Sequence, residues 1–411
     1  MQVLHARCCG LDVHKKTVVA CVLITAEDGT VQREVRTFGT MTADLLALSE
    51  WLRGHEVTQV ALESTGVYWR PVYNLVEEGR TLTLVNPQHM KAVPGHKTDL
   101  LDAEWLADLL RHGLLRASFI PPAPIRALRE LTRCYTTLVR ERVDAVNRLQ
   151  KVLEGANIKV ASVASDIMGV SGRHMLAALV EGERDPAVLA DLARGRLRAK
   201  LPALRQALEG RVQRHHQVVI TCLLAHIDSI ETELASLQDE ITEQQTPFAE
   251  AITLLVALPG IGARAASGIL AEIGADMSRF ASADHLVSWA GMCPGNKQSG
   301  GKRLSSKTTK GNKWLRALLG EVAWAAARTK GSYFAALFHR LARRRGVQRA
   351  IVAVGHSLLR TIYYILRDKT PYVDLGPDHF DKLDTARIER HHIHRLEQLG
   401  YTVALTPKEA A

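Results

Sequence analysis

The chain has 411 residues, of which 46% are hydrophobic and 23% are charged. This length gives room for two or three domains with buried cores, and the composition excludes an intrinsically disordered protein. Lysine and arginine number 53 against 43 aspartate and glutamate, and the resulting net charge of +10 favours a polyanionic partner.

The cysteines and the N-terminus narrow the class of protein further. The six cysteines are scattered without C-x-x-C spacing and indicate neither a zinc site nor a disulfide framework, so we expect them to be reduced and mostly buried. The N-terminus lacks the order of a signal peptide, and no apolar run reaches membrane-spanning length. The sequence therefore predicts a cytoplasmic protein without a membrane partner.

The first part of the chain alternates short β-branched runs with amphipathic segments. The predicted strands are 8–13, 17–24, 31–38, 59–62 and 82–85, and the predicted helices are 43–53, 68–78 and 99–111. This order predicts an α/β domain with an early hairpin and later crossover connections.

The α/β pattern ends at Pro121, Pro122 and Pro124, which cannot continue a helix and predict a domain boundary near residue 118. Beyond them we predict a helix over 125–153 that carries basic residues: Arg126, Arg129, Arg133, Arg140, Arg142, Arg148 and Lys151. A second predicted helix, 204–244, has apolar residues at alternating spacings of three and four, as in a coiled-coil seam. The seam residues are Ile220, Leu223, Ile227, Ile230, Leu234, Leu237 and Ile241. The seam predicts burial against another helix, either in an intramolecular hairpin or in a second subunit.

The last globular portion begins near Phe248 and is predicted to be mainly helical. Its predicted helices are 263–273, 312–328, 333–344 and 347–366. In the tail after Lys369, His391, His392 and His394 lie among arginines, so a solvated helix is favoured over a metal site. The predicted division of the chain is 1–118, 119–247, 248–368 and 369–411.

Four carboxylates have the pattern of a metal site. Asp12 and Glu63 each end an apolar run, and active sites of α/β folds gather at the carboxyl ends of strands. Asp99 and Asp102 lie three residues apart on one predicted helix, where a shared cation would relieve their repulsion. Taken alone, the pair also fits first-turn acids that interact with the helix dipole. Two-metal phosphoryl chemistry needs several such oxygen ligands around two hard cations about 4 Å apart.

A glycine-containing turn in the last portion is suited to holding a phosphate. Pro259-Gly260-Ile261-Gly262 joins two predicted helices, and free N–H groups at the start of the second helix favour anions. A plain helical hairpin packed in the core is the alternative.

Residues 293–316 are nearly free of apolar side chains and predict a loop that leads into the helix near Asn312. The cations of this segment are Lys297, Lys302, Arg303, Lys307, Lys310, Lys313 and Arg316. A solvated basic loop is the usual interpretation of such a run. The segment also places hydroxyls beside cations, as a serine that attacks a phosphodiester requires.

Two sets of motifs resemble the insertion-sequence 110 family of transposases. In the first domain they are Gly10-Leu11-Asp12-Val13-His14-Lys15, Glu63-Ser64-Thr65-Gly66-Val67-Tyr68 and Lys97-Thr98-Asp99-Leu100-Leu101-Asp102-Ala103. In the last portion they are the Pro-Gly-Ile-Gly turn, Ala290-Gly291-Met292-Cys293-Pro294, Gln298-Ser299-Gly300 and Thr309-Lys310-Gly311-Asn312. The resemblance covers 8–112 and 250–345, joined by a helical middle.

This resemblance implies an RNase H-like (RuvC-like) first domain in which Asp12, Glu63, Asp99 and Asp102 hold two magnesium ions. A helical coiled-coil region follows, and then a mainly α domain with a helix-hairpin-helix element at Gly260 and Gly262. Aligned on the motifs, Ser299 falls at the position of the family's nucleophilic serine, although Ser305 and Ser306 lie nearby.

The implied function is that of a bacterial DNA transposase that cleaves and rejoins strands through a covalent phosphoserine, assisted by Mg²⁺. The implied partners are double-stranded donor and target DNA, a structured guide RNA and further copies of the chain in a homodimer or homotetramer. Such a protein acts in the cytoplasm at the nucleoid. The basic helix over 125–153 and the first domain are the candidates for RNA contact.

Two other functions are consistent with the same residues. A RuvC-like, metal-dependent junction endonuclease uses water as the nucleophile, and Ser299 is then only a phosphate contact. A nucleic-acid scaffold carries the acids as structural residues and cleaves no strand.

Overall fold

The computed structural model describes residues 2–63, 66–85, 99–305, 307–383 and 385–405. It divides into two compact units, Met1–Ile120 and Pro121–Ala411. The predicted subdivision of the second unit near residues 247 and 368 stays a prediction.

The first unit is built on a five-stranded mixed sheet with the order β3-β2-β1-β4-β5. Its strands are β1 (Arg7–Val13), β2 (Thr17–Thr25), β3 (Val31–Gly39), β4 (Gln59–Glu63) and β5 (Thr81–Val85). β1, β2 and β3 pair antiparallel, whereas β4 runs parallel to both β1 and β5. This confirms the α/β fold with an early hairpin and later crossovers, and it is consistent with the predicted RNase H-like domain.

Helices cover both faces of this sheet, because β1 is apolar on both. Helices α1 (Thr42–Gly54) and α2 (Trp69–Val76) pack on the face that carries Leu11 and Leu62. Helix α3 (Asp99–Arg111) packs on the opposite face, which carries Cys8.

Gly10 brings α3 unusually close to β1. A Cβ atom on Gly10 would lie 2.1 Å from the Ala103 carbonyl oxygen and 2.6 Å from the Ala107 nitrogen. The absence of a side chain at this position therefore allows the helix backbone to rest directly on the strand.

The second unit is almost entirely helical. Its first helices are α4 (Ala123–Gly155), α5 (Val160–Val163), α6 (Val170–Glu181), α7 (Pro186–Asp191), α8 (Leu201–Leu208), α9 (Arg214–Gln244), α10 (Ala249–Val256) and α11 (Ala263–Ile273). The remaining elements are α12 (Ala283–Trp289), β6 (Lys297–Ser299), β7 (Lys302–Ser305), α13 (Lys313–Arg328), α14 (Tyr333–Arg345), α15 (Val347–Asp368), α16 (His379–Lys382) and α17 (Thr385–Gln398). Among the residues that the structure describes, every helix is too short or too polar to cross a membrane.

The apolar seam of α9 faces α4 of the same chain. Ile220 and Ile227 are buried in one cluster with Leu149, and farther along Arg142 of α4 pairs with Glu231 of α9 at 2.7 Å. The two helices therefore run antiparallel, and an intramolecular partner covers this part of the seam.

The prediction of one helix over 204–244 is wrong, because α8 ends at Leu208 and α9 begins at Arg214. A Cβ atom on Gly210 would lie 2.5 Å from the Ala156 carbonyl oxygen, and the next residue, Arg211, donates its N–H to that oxygen at 2.8 Å. In the break between α8 and α9, the backbone therefore bonds to the segment after α4 and not to a preceding helical turn.

Candidate functional site

Asp12 and Glu63 lie at the carboxyl ends of neighbouring parallel strands. The register pairs Leu11 of β1 with Leu62 of β4, so the two acids occupy the next position on each strand. Because successive side chains alternate between faces, both acids belong to the face that α3 covers. The Asp12 carboxylate is only 13% exposed, and its Oδ2 lies 3.0 Å from Nε2 of His14.

The first turn of α3 lies at the same end of the sheet as Asp12. The Arg111 carbonyl at the end of α3 accepts a hydrogen bond from the Leu4 nitrogen, just before β1, at 2.9 Å. Ala103 near the start of α3 meets Gly10 farther along β1, so helix and strand run in opposite directions. The backbone positions of Asp99 and Asp102 therefore approach the end of β1.

The full carboxylate set is only partly described. Asp102 is exposed, whereas the side chain of Asp99 lies outside the described residues. Among the side chains that the structure describes, no three His, Cys, Asp or Glu residues form a metal-binding group. The four-ligand arrangement therefore stays a prediction.

The chemistry of the donors fits a hard cation. Carboxylate oxygens are the ligands that Mg²⁺ prefers, and a cation would stabilise the charge of the largely buried Asp12 carboxylate. The thiols on the same face are buried, and burial raises the pKa of Cys8 to about 12 and that of Cys21 to about 11. They stay protonated near neutral pH.

Ser299 lies on a short β-hairpin, and the prediction of a plain loop here is wrong. β6 and β7 pair antiparallel with Ser299 opposite Lys302, and Gly300 and Gly301 form the turn between them. Their φ angles of +54° and +75° are the left-handed conformations that a two-residue hairpin turn of type I′ requires. The Ser299 side chain is exposed next to this turn.

The base of the hairpin is closed by backbone contacts between the two segments that enter and leave it. Gly295 donates its N–H to the Lys307 carbonyl at 2.8 Å. A Cβ atom on Gly311 would lie 2.3 Å from the Gly291 nitrogen, so both glycines are needed for this approach. The two segments that resemble family motifs, 290–294 and 309–312, thus meet at one place.

A buried acid ties the hairpin base to the basic helix α4. Asn312 caps α13 by accepting from the Trp314 and Leu315 nitrogens at 3.0 and 3.2 Å, and its Nδ2 donates to Glu272 at 2.5 Å. Glu272, only 3% exposed, also accepts two hydrogen bonds from Arg133 at 2.7 and 2.8 Å. This bidentate, charge-assisted pair joins Arg133 of α4 to Glu272 of α11 and fixes the orientation of these two helices.

The cations predicted around Ser299 are exposed where the structure describes them: Lys302, Lys307, Lys310, Lys313 and Arg316. The side chains of Lys297 and Arg303 lie outside the described residues. On α4, by contrast, several cations are engaged inside the chain, since Arg133 pairs with Glu272 and Arg142 with Glu231. Arg140, Arg148 and Lys151 remain exposed.

The two glycines of the Pro-Gly-Ile-Gly turn differ in their surroundings. A Cβ atom on Gly260 would lie 2.6 Å from the Ala326 nitrogen, so this glycine packs against the backbone of α13. Gly262 is exposed, precedes α11 and has open space around it. Of the two, Gly262 is the one accessible to a phosphate.

Sequence reasoning missed a set of residues that surround a cleft in the second unit. Arg140 and Lys313 lie 5.2 and 5.3 Å from the ring centre of Trp314, and Arg264 lies 5.7 Å from that of Tyr135. The sequence does carry a signal for this cleft, because Trp314 lies among the cations of residues 293–316. Aromatic residues interleaved with cations are typical of nucleic-acid interfaces.

Two family models match the chain. A model of IS110-type DEDD sequences, described as a transposase, matches residues 9–158. A second, described as the transposase IS116/IS110/IS902 family, matches residues 252–339. The first match contains the acid site (Asp12, Glu63, Asp99 and Asp102), and the second contains the serine hairpin (β6 and β7 with Ser299). Both models describe transposases, so the class of protein is a transposase. Together the matches span more than half of the 411 residues. The chain belongs to the IS110 family of transposases.

Individual relatives agree with this family. A probable family 20 transposase of Pseudomonas aeruginosa is 26% identical over 76% of this chain and 85% of the relative. The transposase for insertion sequence element IS1328 of Yersinia enterocolitica is 27% identical over 64% of this chain and 69% of the relative. A pilin gene-inverting protein of Moraxella bovis is 32% identical over a shorter stretch, 29% of this chain and 38% of the relative.

Proposed function

We propose that this transposase cleaves and rejoins DNA strands with Ser299 as the nucleophile and magnesium held by Asp12, Glu63, Asp99 and Asp102. One observation carries the proposal: Asp12 and Glu63 occupy adjacent parallel strand ends on the face covered by α3. This is the placement that a two-metal carboxylate site in an α/β fold needs. Bound there, the ions would supply charge stabilisation for the scissile phosphate and the leaving oxygen.

The protein's own groups carry out the covalent step. The Oγ of Ser299 attacks the phosphorus, an Oγ–P bond forms, and the P–O bond to the departing deoxyribose oxygen breaks. The serine proton goes to solvent and the departing oxygen takes up a proton. Because the phosphoserine keeps the energy of a phosphodiester, a strand hydroxyl can later attack it and rejoin the DNA without ATP.

The hairpin and its cations orient the DNA for this attack. Ser299 is exposed beside the turn, and Lys302 lies opposite it in the strand register. Exposed lysines along the segment supply phosphate contacts that position the backbone without reading sequence. Gly262 at the start of α11 adds a helix-hairpin-helix type of contact.

The partners in this proposal are donor DNA, target DNA, a structured guide RNA and one or three further copies of the chain. The exposed Arg140, Arg148 and Lys151 on α4 are the side chains of the basic helix best placed for RNA phosphates. The α4 and α9 pair, proposed as a coiled coil, is the candidate element for contact between copies in a homodimer or homotetramer.

Covalent trapping tests the chemistry. Labelled DNA that carries the element ends is incubated with the purified complex and Mg²⁺, denatured and analysed by gel and by mass spectrometry of the linked peptide. We expect a DNA adduct at Ser299 that Ser299→Ala abolishes, whereas Ser305→Ala in the neighbouring strand retains it. Strand cleavage by the wild type without any adduct would contradict the proposal and indicate a junction endonuclease that uses water.

Sequencing of co-purified RNA tests the guide separately. We expect one structured RNA species encoded beside the gene for this chain. Heterogeneous cellular RNA alone would contradict an RNA-guided function while leaving the covalent chemistry intact.

A further inference from the structure

A cleft of about 130 Å³ lies in the second unit between α4, α9, α11 and α13. Tyr135, Val139, Ile241, Trp314 and Leu318 contribute apolar and aromatic walls. This volume is well below the roughly 300 to 1,000 Å³ of drug-sized ligand sites, so the cleft suits a single planar ring system.

Hydroxyl groups among these walls give the cleft hydrogen-bonding capacity. Thr132 and Thr136 of α4 and the buried Ser267 of α11 line it. Each hydroxyl donates to a backbone carbonyl of its own helix, so its oxygen is left to accept a hydrogen bond from an N–H group on the edge of a nucleobase. A free phosphate is a poor occupant, because apolar walls and the Glu272 carboxylate would face it.

Cations surround the aromatic residues of the cleft. Arg140 and Lys313 lie over Trp314, and Arg264 lies over Tyr135, where its guanidinium also donates to the Tyr135 hydroxyl at 3.4 Å. An arginine stacked on an aromatic ring keeps its N–H groups directed outward, where they can bind a phosphate.

These cations are available to an external anion. Arg133 is paired with Glu272 inside the cleft, so it is already neutralised. Within the described part of the chain, neither Arg140, Arg264 nor Lys313 forms an ion pair. Two carboxylates, Glu272 and the exposed Glu321, also line the cleft, so the cations around it outnumber the anions.

We propose that this cleft binds one unpaired nucleotide of a nucleic-acid strand. The base enters between Tyr135 and Trp314, and the flanking phosphates bind Arg140, Arg264 and Lys313. A base in a duplex cannot enter, because its faces are covered by neighbouring pairs. Single-stranded DNA and single-stranded RNA share this chemistry, and the experiment below distinguishes them.

The cleft is joined to the serine hairpin by direct contacts. Trp314 lies two residues after Asn312. Asn312 caps α13 and donates a hydrogen bond to Glu272 in the cleft wall. The hairpin base closes at Gly311, one residue earlier. An unpaired nucleotide held here would keep a strand separated beside the hairpin, a function that the covalent chemistry does not itself provide.

Filling the cleft is the direct test. Thr136→Trp places a ring inside it, and the control Thr137→Trp places the same ring on the adjacent, exposed position of α4. Binding of fluorescent single-stranded DNA, single-stranded RNA and duplex DNA of one sequence is measured by anisotropy. The protein is the nuclease-treated full chain carrying Ser299→Ala, so the result does not depend on whether Ser299 is the nucleophile.

We expect Thr136→Trp to weaken single-strand binding about tenfold or more and to leave duplex binding unchanged. Thr137→Trp should bind like the parent. If Thr136→Trp weakens the binding of only single-stranded DNA or only single-stranded RNA, the affected strand is the ligand of the cleft. Unchanged single-strand binding, or equal loss for single strand and duplex, overturns the proposal.

A second variant and a cross-link keep the test decisive if Thr136→Trp does not fold. Arg140→Gln combined with Arg264→Gln removes two surface charges and should reproduce the single-strand loss, whereas Arg194→Gln combined with Arg196→Gln, at two exposed positions between α7 and α8, should not. Oligonucleotides that contain 5-iodouracil should cross-link to peptides with Tyr135 or Trp314. Cross-links confined to other peptides would refute the site.

Discussion

The acids of the first unit and the serine of the second, which we propose to be catalytic, are held in different ways. Asp12 is the next-to-last residue of β1, between the buried Leu11 and Val13, and its carboxylate is 13% exposed. Ser299 is exposed, and two glycines in left-handed conformations follow it. Cation ligands must keep fixed mutual distances, whereas a nucleophile must reach a phosphate that arrives from outside. The sheet supplies rigidity to the acids, and the hairpin supplies access to the serine.

The largest effect is expected from Asp12→Asn. Loss of one anionic ligand removes charge stabilisation of several kcal/mol, so strand cleavage should fall by about 10²- to 10³-fold. Cleavage of labelled DNA in the assembled complex is the measurement. Glu27→Gln, which removes an exposed carboxylate of the same unit, is the control. Near-normal cleavage by a folded Asp12→Asn protein would show that the acid site is structural.

Glu272→Gln tests how much the buried ion pair beneath the serine hairpin contributes to the free energy of unfolding. The change leaves Arg133 without its counter-charge, and we expect a loss of about 3 kcal/mol in the free energy of unfolding. This is the low end for a broken buried pair, because Arg133 keeps 27% exposure. Urea unfolding measures it, with the exposed Glu141→Gln on α4 as control. Equal stability of the two variants would mean that the pair contributes little.

Gly10→Ala tests the rigidity of the first unit. The added methyl group would overlap the backbone of α3, and we expect destabilisation of about 2 to 3 kcal/mol. Gly54→Ala at the end of α1 is a matched control, because nothing lies within 4 Å of the position that its methyl group would take. That control should be neutral or slightly stabilising. A neutral Gly10→Ala would mean that α3 can move away from β1 without cost.

Gly300→Val tests the hairpin turn. Valine at a φ of +54° is disfavoured by about 1 to 2 kcal/mol, and the paired strands should open more often. Hydrogen exchange of the β6 and β7 amides reports the opening. Gly300→Asn should exchange nearly like the wild type, because asparagine tolerates this conformation. Equal exchange in both variants would argue against a turn of type I′.

The smallest effect is expected at an exposed pair of the first unit. A backbone hydrogen bond to Trp51 and the Glu34 carboxylate, 2.9 Å away, raise the pKa of His55. The stabilisation is therefore complete below the unfolded pKa of about 6.5 and is lost as the pH rises through the higher folded value. His55→Gln should cost more stability at pH 5.5 than at pH 8 in urea unfolding. A pH-independent cost would assign the effect to packing on Trp51.

Regular elements with a strong pattern were predictable within a few residues. Helix 99–111 and helix 263–273 have the predicted bounds, since their apolar periodicity and their end signals agree. The serine hairpin was not predicted, because three- and four-residue strands of polar and cationic side chains carry no apolar alternation. The break at Gly210 was also missed, because it depends on the Ala156 carbonyl, which is distant in sequence.

The sequence by itself determined the family, the types of chemical group and most helices and strands, because motif spacing and hydrophobic periodicity are local properties. Only the tertiary structure decided that α3 runs opposite to β1, that Glu272 neutralises Arg133, and that Tyr135, Arg264 and Trp314 surround one cleft. These arrangements join residues from separate helices and strands, and their partners are selected by packing and charge compensation in three dimensions.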